Sequence, residues 1–253
     1  MTLYLIGIGL ANEEDISVRG LTSIKTCEHV YLEGYTSILE SGKDRLEALY
    51  AKPITILDRD DVEKGCERMV EQAKTKNVAF LAVGDVFSAT THIALYLEAK
   101  KRNVPVTVIH GASILTAVGK TGLELYKFGK TTSIPFLHEN VTTPYTVLVT
   151  NKNAGLHTLF LLDLTPNKNR FLTIPQAARY LLEQERQQRK GVVDETTMGV
   201  ACSRLGWSDE TITYATLHAL ATERVPTGKP PSCLIIPADL HFIEEEALAH
   251  YSR

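Results

Sequence analysis

No uninterrupted apolar run in the 253 residues approaches the ~20 needed to cross a bilayer as a helix, so no membrane span is predicted. The chain opens on TLYLIGIGL without the basic flank and small-residue cleavage site of a secretory leader, and cytoplasmic residence is the expectation. Cysteine is scarce. Cys27, Cys66, Cys202 and Cys233 stand singly with no CxxC pair, which argues against a disulfide framework or a zinc site and predicts buried free thiols. The 8 histidines show no HExxH or comparable pairing, so no metal is expected. Positive charge is not in excess either: 27 Lys and Arg against 30 Asp and Glu leave a net charge of -3. Duplex binding typically draws about 6 to 10 phosphate contacts from a concentrated basic face, so direct nucleic-acid binding is not expected.

What is present is 44% hydrophobic residues, enough for one large core or two modest ones. Strand-like runs alternate with segments of helical period. TLYLIGIGL, HVYLE, PITILD, VAFLAVG and PVTVIHG are each followed by a helical stretch; one carries Val62, Cys66, Met69, Val70 and Ala73 at helical spacing, another spans 93–101, and a further one starts near Ser113. Five β-α units predict a parallel five-stranded sheet with helices on both faces and ligands at the carboxyl ends of its strands. After Gly122 the pattern changes. TTSIPF, TVLVTNKN and HTLFLLDL read as strands, then a helix runs from Pro175 to about Arg189, capped by Thr173 and Gln176. MGVACSRL, a helix near Leu217, SCLIIPADL and a terminal helix complete the chain. The fold class is therefore α/β with two domains: a parallel N-terminal domain over 1–117, a mixed-sheet C-terminal domain over 118–253, and a cofactor cleft between them.

Three loops follow parallel strands and are expected to share one rim. In GIGLANEED, Gly7 and Gly9 let backbone approach a ligand, but Asn12 stands where a dinucleotide fingerprint has its third glycine. Glu33, at the end of HVYLE, occupies the approximate place of a ribose-binding acid, so a nucleotide oxidoreductase stays open beside a plain tight turn. In LAVGDVFSATTH, Gly84 removes a side chain at a strand tip, Asp85 supplies a fixed negative charge, and Ser88, Ala89, Thr90 and Thr91 combine small volume with hydroxyls. Such a loop makes room for a bulky polar ligand, unless Thr90 or Thr91 merely caps the next helix and Asp85 the loop. IHGASIL repeats the device with Gly111, Ala112 and Ser113.

Taken in order over nearly the whole chain, LIGIGL, YLEGYTS, FLAVGDVFSATTH, HGASI, LYKFG, GLHTLFLLDL and LHFIEEEAL together resemble the diphthine synthase family, called diphthine methyl ester synthases in eukaryotes. That family looks like a branch of the tetrapyrrole-methylase-like methyltransferases, homodimers of two α/β domains. The resemblance implies S-adenosyl-L-methionine as cofactor and S-adenosyl-L-homocysteine as product. It also implies methylation of the 3-amino-3-carboxypropyl-histidine of translation elongation factor 2, towards diphthamide. Carried over by position, the cofactor contacts are Leu10, Asp85, Ser88, Ser113 and Ile114 in the first domain and Leu162, Leu205 and Ser232 in the second. Ser232 replaces the family's usual histidine before LII, Val86 a frequent proline, and Thr165 a frequent lysine.

The sequence names no catalytic residue. Glu33, Tyr35 and Asp163 stand near strand ends as bases or orienting groups for an amine acceptor. Tyr31, Tyr35, Tyr126 and Phe128 are the rings to examine beside a trimethylated cation, which an aromatic face within ~6 Å stabilises by about 0.5–2 kcal/mol. A carboxylate acceptor, methylated in the eukaryotic version of the reaction, needs no base. Two further readings remain: a methyltransferase for a corrin or porphyrin precursor, and a non-catalytic nucleotide-binding module.

Overall fold

A computed structural model describes residues 1–63, 65–138 and 140–253, with Glu63 described by its backbone alone. The chain forms two compact units, Met1–Leu115 with Pro166–Lys168, and Thr116–Thr165 with Asn169–Arg253.

The first unit runs β1 (Leu3–Gly7), α1 (Val18–Lys25), β2 (His29–Glu33), α2 (Lys43–Tyr50), β3 (Thr55–Leu57), α3 (Arg59–Glu63), α4 (Cys66–Gln72), β4 (Val78–Ala82), α5 (Ile93–Lys101) and β5 (Val106–Ile109). All its strand pairs are parallel, in the order β3-β2-β4-β1-β5. Side chains alternate across a strand, and here both faces are covered. Leu3, Leu5, Val78, Phe80 and Ala82 enter one core, whereas Ile6, Ile8, Ala79, Leu81 and Val83 enter the other. Near-continuous apolar runs in β1 and β4 follow from that two-sided burial. The neighbour order β4-β1-β5 sets the loops after these three strands side by side.

A short helix, α6 (Ile114–Ala117), leads into the second unit. There the elements are β6 (Thr132–Ile134), α7 (Thr143–Asn153), β7 (Thr158–Leu162), the two-residue strands β8 (Leu164–Thr165) and β9 (Arg170–Phe171), α8 (Ile174–Gln188), β10 (Met198–Ser203), β11 (Thr211–Thr216), α9 (Leu217–Ala221), β12 (Ser232–Ile236) and α10 (Phe242–Ala249). The five-stranded sheet has the order β11-β10-β12-β7-β6 and is mixed: only β6 and β7 are parallel. Tyr145, Leu148, Phe160, Leu181, Leu217 and Leu234 contribute to its core.

One predicted strand is a helix instead. TVLVTNKN, read as a strand for its β-branched run, is the body of α7. Pro144 lies in its first turn, and Pro144, Val147, Leu148 and Asn151 are buried at helical spacing. The threonines adapt by donating back to carbonyls four residues earlier, Thr146 to Thr142 and Thr150 to Thr146. At the start of α8 local chemistry and structure agree. Thr173 and Gln176 form both hydrogen bonds of a capping box at the start of α8. Cys27, Cys202 and Cys233 are buried free thiols, while Cys66 is only half-buried.

Candidate cofactor site

The three adjacent loops of the first unit meet backbone to backbone. Gly9 and Gly84 exchange hydrogen bonds, Gly84 N–H to Gly9 O at 2.7 Å and the return bond at 3.3 Å. A Cβ on Gly7 would lie 2.6 Å from both Gly111 N and Gly84 O, and one on Gly111 would lie 2.5 Å from Gly84 O. Gly7 and Gly111 are therefore required by the packing of the strand tips on one another. Gly84 is different. Its φ of +82° suits glycine, and a Cβ there would find nothing nearer than Ala112 O at 3.8 Å and the Leu10 side chain at 3.9 Å. A Cβ at buried Gly84 would thus sit in ordinary van der Waals contact with Leu10 and Ala112, without a clash.

Asp85, next in the chain and buried, braces this rim. Its Oδ1 accepts from Phe87 N–H at 3.0 Å and Ser88 Oγ at 3.3 Å; its Oδ2 accepts from Gly111 N–H at 3.2 Å and lies 2.8 Å from His110 Nδ1. Burial pushes the carboxyl pKa up, but the Phe87, His110 and Gly111 donors outweigh it and hold the group below its ordinary range. The loop after β4 is thereby tied to the loop after β5. Ser113 is buried with its Oγ accepting Leu115 N–H at 3.2 Å, and Ile114, half-buried, opens α6. His110 was missed in the sequence, although its place beside Gly111 in HGASI was the available signal.

Neither threonine of the loop caps α5. His92 is the N-cap residue without a side-chain cap bond, and Thr90 Oγ1 donates to Val86 O at 2.6 Å while accepting His92 N–H at 3.4 Å. His92 is itself buried, its Nδ1 3.0 Å from Val86 O and its ring edge-on to Phe80.

In the second unit, strand register gathers the other three candidates at one end of the sheet. Ser232 opens β12 opposite Ser203 of β10, and their hydroxyls lie 2.7 Å apart. Cys233 pairs with Leu161, which carries Leu162 to the neighbourhood of Ser232. Buried Leu205 follows Ser203 in a turn fastened to the start of β12 by Arg204 N–H to Pro231 O at 2.9 Å. The structure therefore forms two sets: Leu10, Asp85, Ser88, Ser113 and Ile114 in one unit, Leu162, Leu205 and Ser232 in the other.

The candidate bases are already engaged. Glu33, 1% exposed, accepts from Thr36 N–H at 3.2 Å and from the Thr36 hydroxyl; burial outweighs these donors and raises its pKa. Asp163 accepts Phe136 N–H at 3.2 Å and Leu164 N–H at 2.9 Å. Among the aromatic candidates, Tyr31 donates to Gln72, the Tyr35 ring faces Arg59, and Phe128 packs on His157, while Tyr126 stands in water. Among the described residues no cluster of His, Cys, Asp and Glu could hold a metal, and no helix is long and apolar enough to cross a membrane.

Glycine-relieved loops at the carboxyl ends of a parallel sheet, joined to a mixed-sheet unit, fit a methylase class: the chain belongs to the Tetrapyrrole (Corrin/Porphyrin) Methylases, which it matches over residues 2–221. Within that class it groups with the diphthine synthases. It is 42% identical over 253 residues to diphthine synthase of Methanocaldococcus jannaschii, covering 98% of this chain and 98% of the relative. With diphthine methyl ester synthase of Dictyostelium discoideum it shares 40% identity over 266 residues, covering 97% and 96% of the two chains. A crystal structure of diphthine synthase, 35% identical, aligns with a TM-score of 0.90 over 100% of this chain and 96% of that one.

Proposed function

We propose that this chain is an S-adenosyl-L-methionine-dependent methyltransferase acting on the 3-amino-3-carboxypropyl-histidine of translation elongation factor 2, in diphthamide biosynthesis. Full-length similarity to proteins named for that reaction supports the reading. The observation in this chain that carries it is the buried Asp85 carboxylate, which ties the loops after β4 and β5 into one rim at the carboxyl ends of the parallel sheet. Leu10, Asp85, Ser88, Ser113 and Ile114 of the first unit and Leu162, Leu205 and Ser232 of the second are the cofactor contacts. The protein works in the cytoplasm as a homodimer, without direct contact to nucleic acid or membrane.

Bound S-adenosyl-L-methionine supplies a methyl group on a sulfonium, and the sulfur leaves neutral as S-adenosyl-L-homocysteine. Little charge has to be stabilised, so the chain's task is in-line alignment, which by itself can supply much of the acceleration. The acceptor amine attacks as the free base. Glu33 is held by the 34–36 turn and Asp163 by Leu164 N–H and, across the fold, by Phe136 N–H, so the amine gives its proton to solvent before attack. A carboxylate acceptor is a competent nucleophile as it stands.

Radiolabelled S-adenosyl-L-methionine, offered with elongation factor 2 bearing the unmethylated extension, tests the proposal. Label on the factor is the expected result, and its mass gives the number of methyl groups. Label only on a corrin or porphyrin precursor would favour the reading that the broader family name suggests. Cofactor binding without transfer to either would leave a non-catalytic nucleotide-binding module.

A further inference from the structure

The turn at 125–127 and the first turn of α10 hold four large apolar side chains in water. Leu125 is 43% exposed, Tyr126 81%, Phe242 66% and Ile243 51%. These two segments are laced together. Glu244 Oε1 accepts Glu124 N–H at 2.9 Å, Lys127 Nζ donates to Asp239 O at 3.0 Å and to the Glu244 carboxylate, and Glu244 Oε2 accepts His241 N–H at 2.8 Å. Behind them, fully buried His157 places its Nε2 2.9 Å from Glu244 Oε1 while its Nδ1 accepts Ala238 N–H at 2.9 Å. The apolar corner is therefore fixed in place. A rigid apolar patch with a polar rim marks an interaction surface.

Its rim has one sign of charge. The two segments present Glu124, Asp239, Glu245 and Glu246 to solvent, whereas fully buried Glu244 is paired with the Lys127 ammonium, which the Asp239 carbonyl also takes. Phosphate backbones and anionic lipid surfaces are repelled by such a rim. A second copy docking symmetrically would bring the same carboxylates face to face, which is unfavourable for a self-complementary contact. The complementary partner is a protein surface with basic residues around an apolar centre.

The geometry points to this corner as the docking surface for the protein substrate, through a basic, apolar-centred patch on that substrate. The inference rests on the reading of the chain as a protein methyltransferase. Apolar contacts at the centre supply residence time, and the carboxylates speed and orient encounter.

The test uses the intact chain and intact elongation factor 2 bearing the unmethylated extension. Two variants are compared with the natural chain: Glu245→Lys with Glu246→Lys, and Leu125→Ser with Phe242→Ser. Kinetics give kcat and the KM for the factor at low and high salt, calorimetry gives the cofactor affinity, and light scattering gives the oligomeric mass. The charge variant is expected to raise KM about tenfold at low salt and to lose the salt dependence of the natural chain, with kcat, cofactor affinity and mass unchanged. The apolar variant is expected to raise KM at both salt concentrations. Unchanged KM in the folded charge variant overturns the inference while leaving the methyltransferase reading intact. A changed mass also overturns it, because the corner would then be a contact between copies. Absence of transfer to the factor by the natural chain refutes the methyltransferase reading itself, and the docking surface falls with it.

Discussion

Nδ1 of His110 lies 2.8 Å from Oδ2 of Asp85, and the same oxygen accepts Gly111 N–H at 3.2 Å, so one buried carboxylate fastens two loops. Asp85→Ala leaves the N–H groups of Phe87 and Gly111 without that acceptor, at about 1–3 kcal/mol for each that stays buried and unpaired. The expected outcome is a lower melting temperature together with cofactor binding weakened by about tenfold or more in calorimetry. His110→Ala keeps both backbone bonds and removes a largely exposed ring, so its effect on affinity is expected to stay below about threefold. Equal losses in the two variants would assign the work to the imidazole.

Gly84 and Gly111 separate binding from stability. Alanine at 111 would place a methyl 2.5 Å from Gly84 O, so the backbone must move and a marked loss of stability is expected. Alanine at 84 meets no atom closer than 3.8 Å and costs only the left-handed backbone strain, about 1–2 kcal/mol, yet it adds a methyl group to the rim at which the cofactor is proposed to bind. Calorimetric titration alongside thermal melting should show Gly84→Ala impaired in binding while still folded. Normal affinity in that variant would place the cofactor elsewhere.

Ser232 stands where the resemblance to the diphthine synthases implies a histidine, and its hydroxyl lies 2.7 Å from that of Ser203. Ser203 also donates to Thr227 O at 2.6 Å, so replacing Ser232 leaves Ser203 with a partner. Ser232→His is expected to fold and to tighten S-adenosyl-L-methionine binding severalfold. An unchanged dissociation constant would show that this chain has no use for an imidazole there.

Acid should loosen the second unit through Glu244 and His157. Burial pushes the Glu244 carboxyl up, but Glu124 and His241 N–H, Lys127 and His157 outweigh it and hold its pKa at about 2 against an ordinary 4.5. A depressed carboxylate stabilises the fold fully above its unfolded value and loses that contribution as pH falls through the folded one, so its window runs from about 4.5 down to about 2. Burial also lowers His157 from its ordinary 6.5; its contribution is present above that value and is lost as pH falls from there to the folded one. The melting temperature is thus expected to drop progressively below about pH 6.5, first through the histidine and then through the carboxylate. His157→Gln should flatten the upper part of the curve in scanning calorimetry, and an unaltered curve would discount the histidine.

Glu33 fastens the 34–36 turn, and on the proposed mechanism it does not accept the substrate proton. Glu33→Gln keeps the shape and still offers one carbonyl oxygen to Thr36. The kcat is therefore expected to change by less than about tenfold, with the rise of rate with pH following the substrate amine. A loss of several hundredfold in kcat at unchanged KM would restore Glu33 as the base.

The alternation of two-sided apolar strands with helices was legible because period and burial leave the same mark in the sequence, as in the strictly alternating core assignments along β1. Loop adjacency was legible only in outline: the sequence places three loops at strand ends, but the neighbour order β4-β1-β5 arises from tertiary packing. Residues 146–150 misled because a β-branched run carries strand propensity, and the packing of Val147 and Leu148 decided for helix. β11 went unmarked, its TITYAT too polar to stand out from a connection. At the site, small residues correctly announced close approach, yet a side chain at Gly7 or Gly111 would collide with backbone, whereas one at Gly84 would meet only ordinary contacts. Nothing local distinguishes those two demands.

Because Gly7, Gly84 and Gly111 lock three strand ends into one block, the rim is set before any ligand arrives. Occupancy there freezes few additional torsions, so association loses little conformational freedom on this side. Amide exchange at these strand ends should accordingly be slow with or without cofactor, and whatever step limits loading or release lies outside this block.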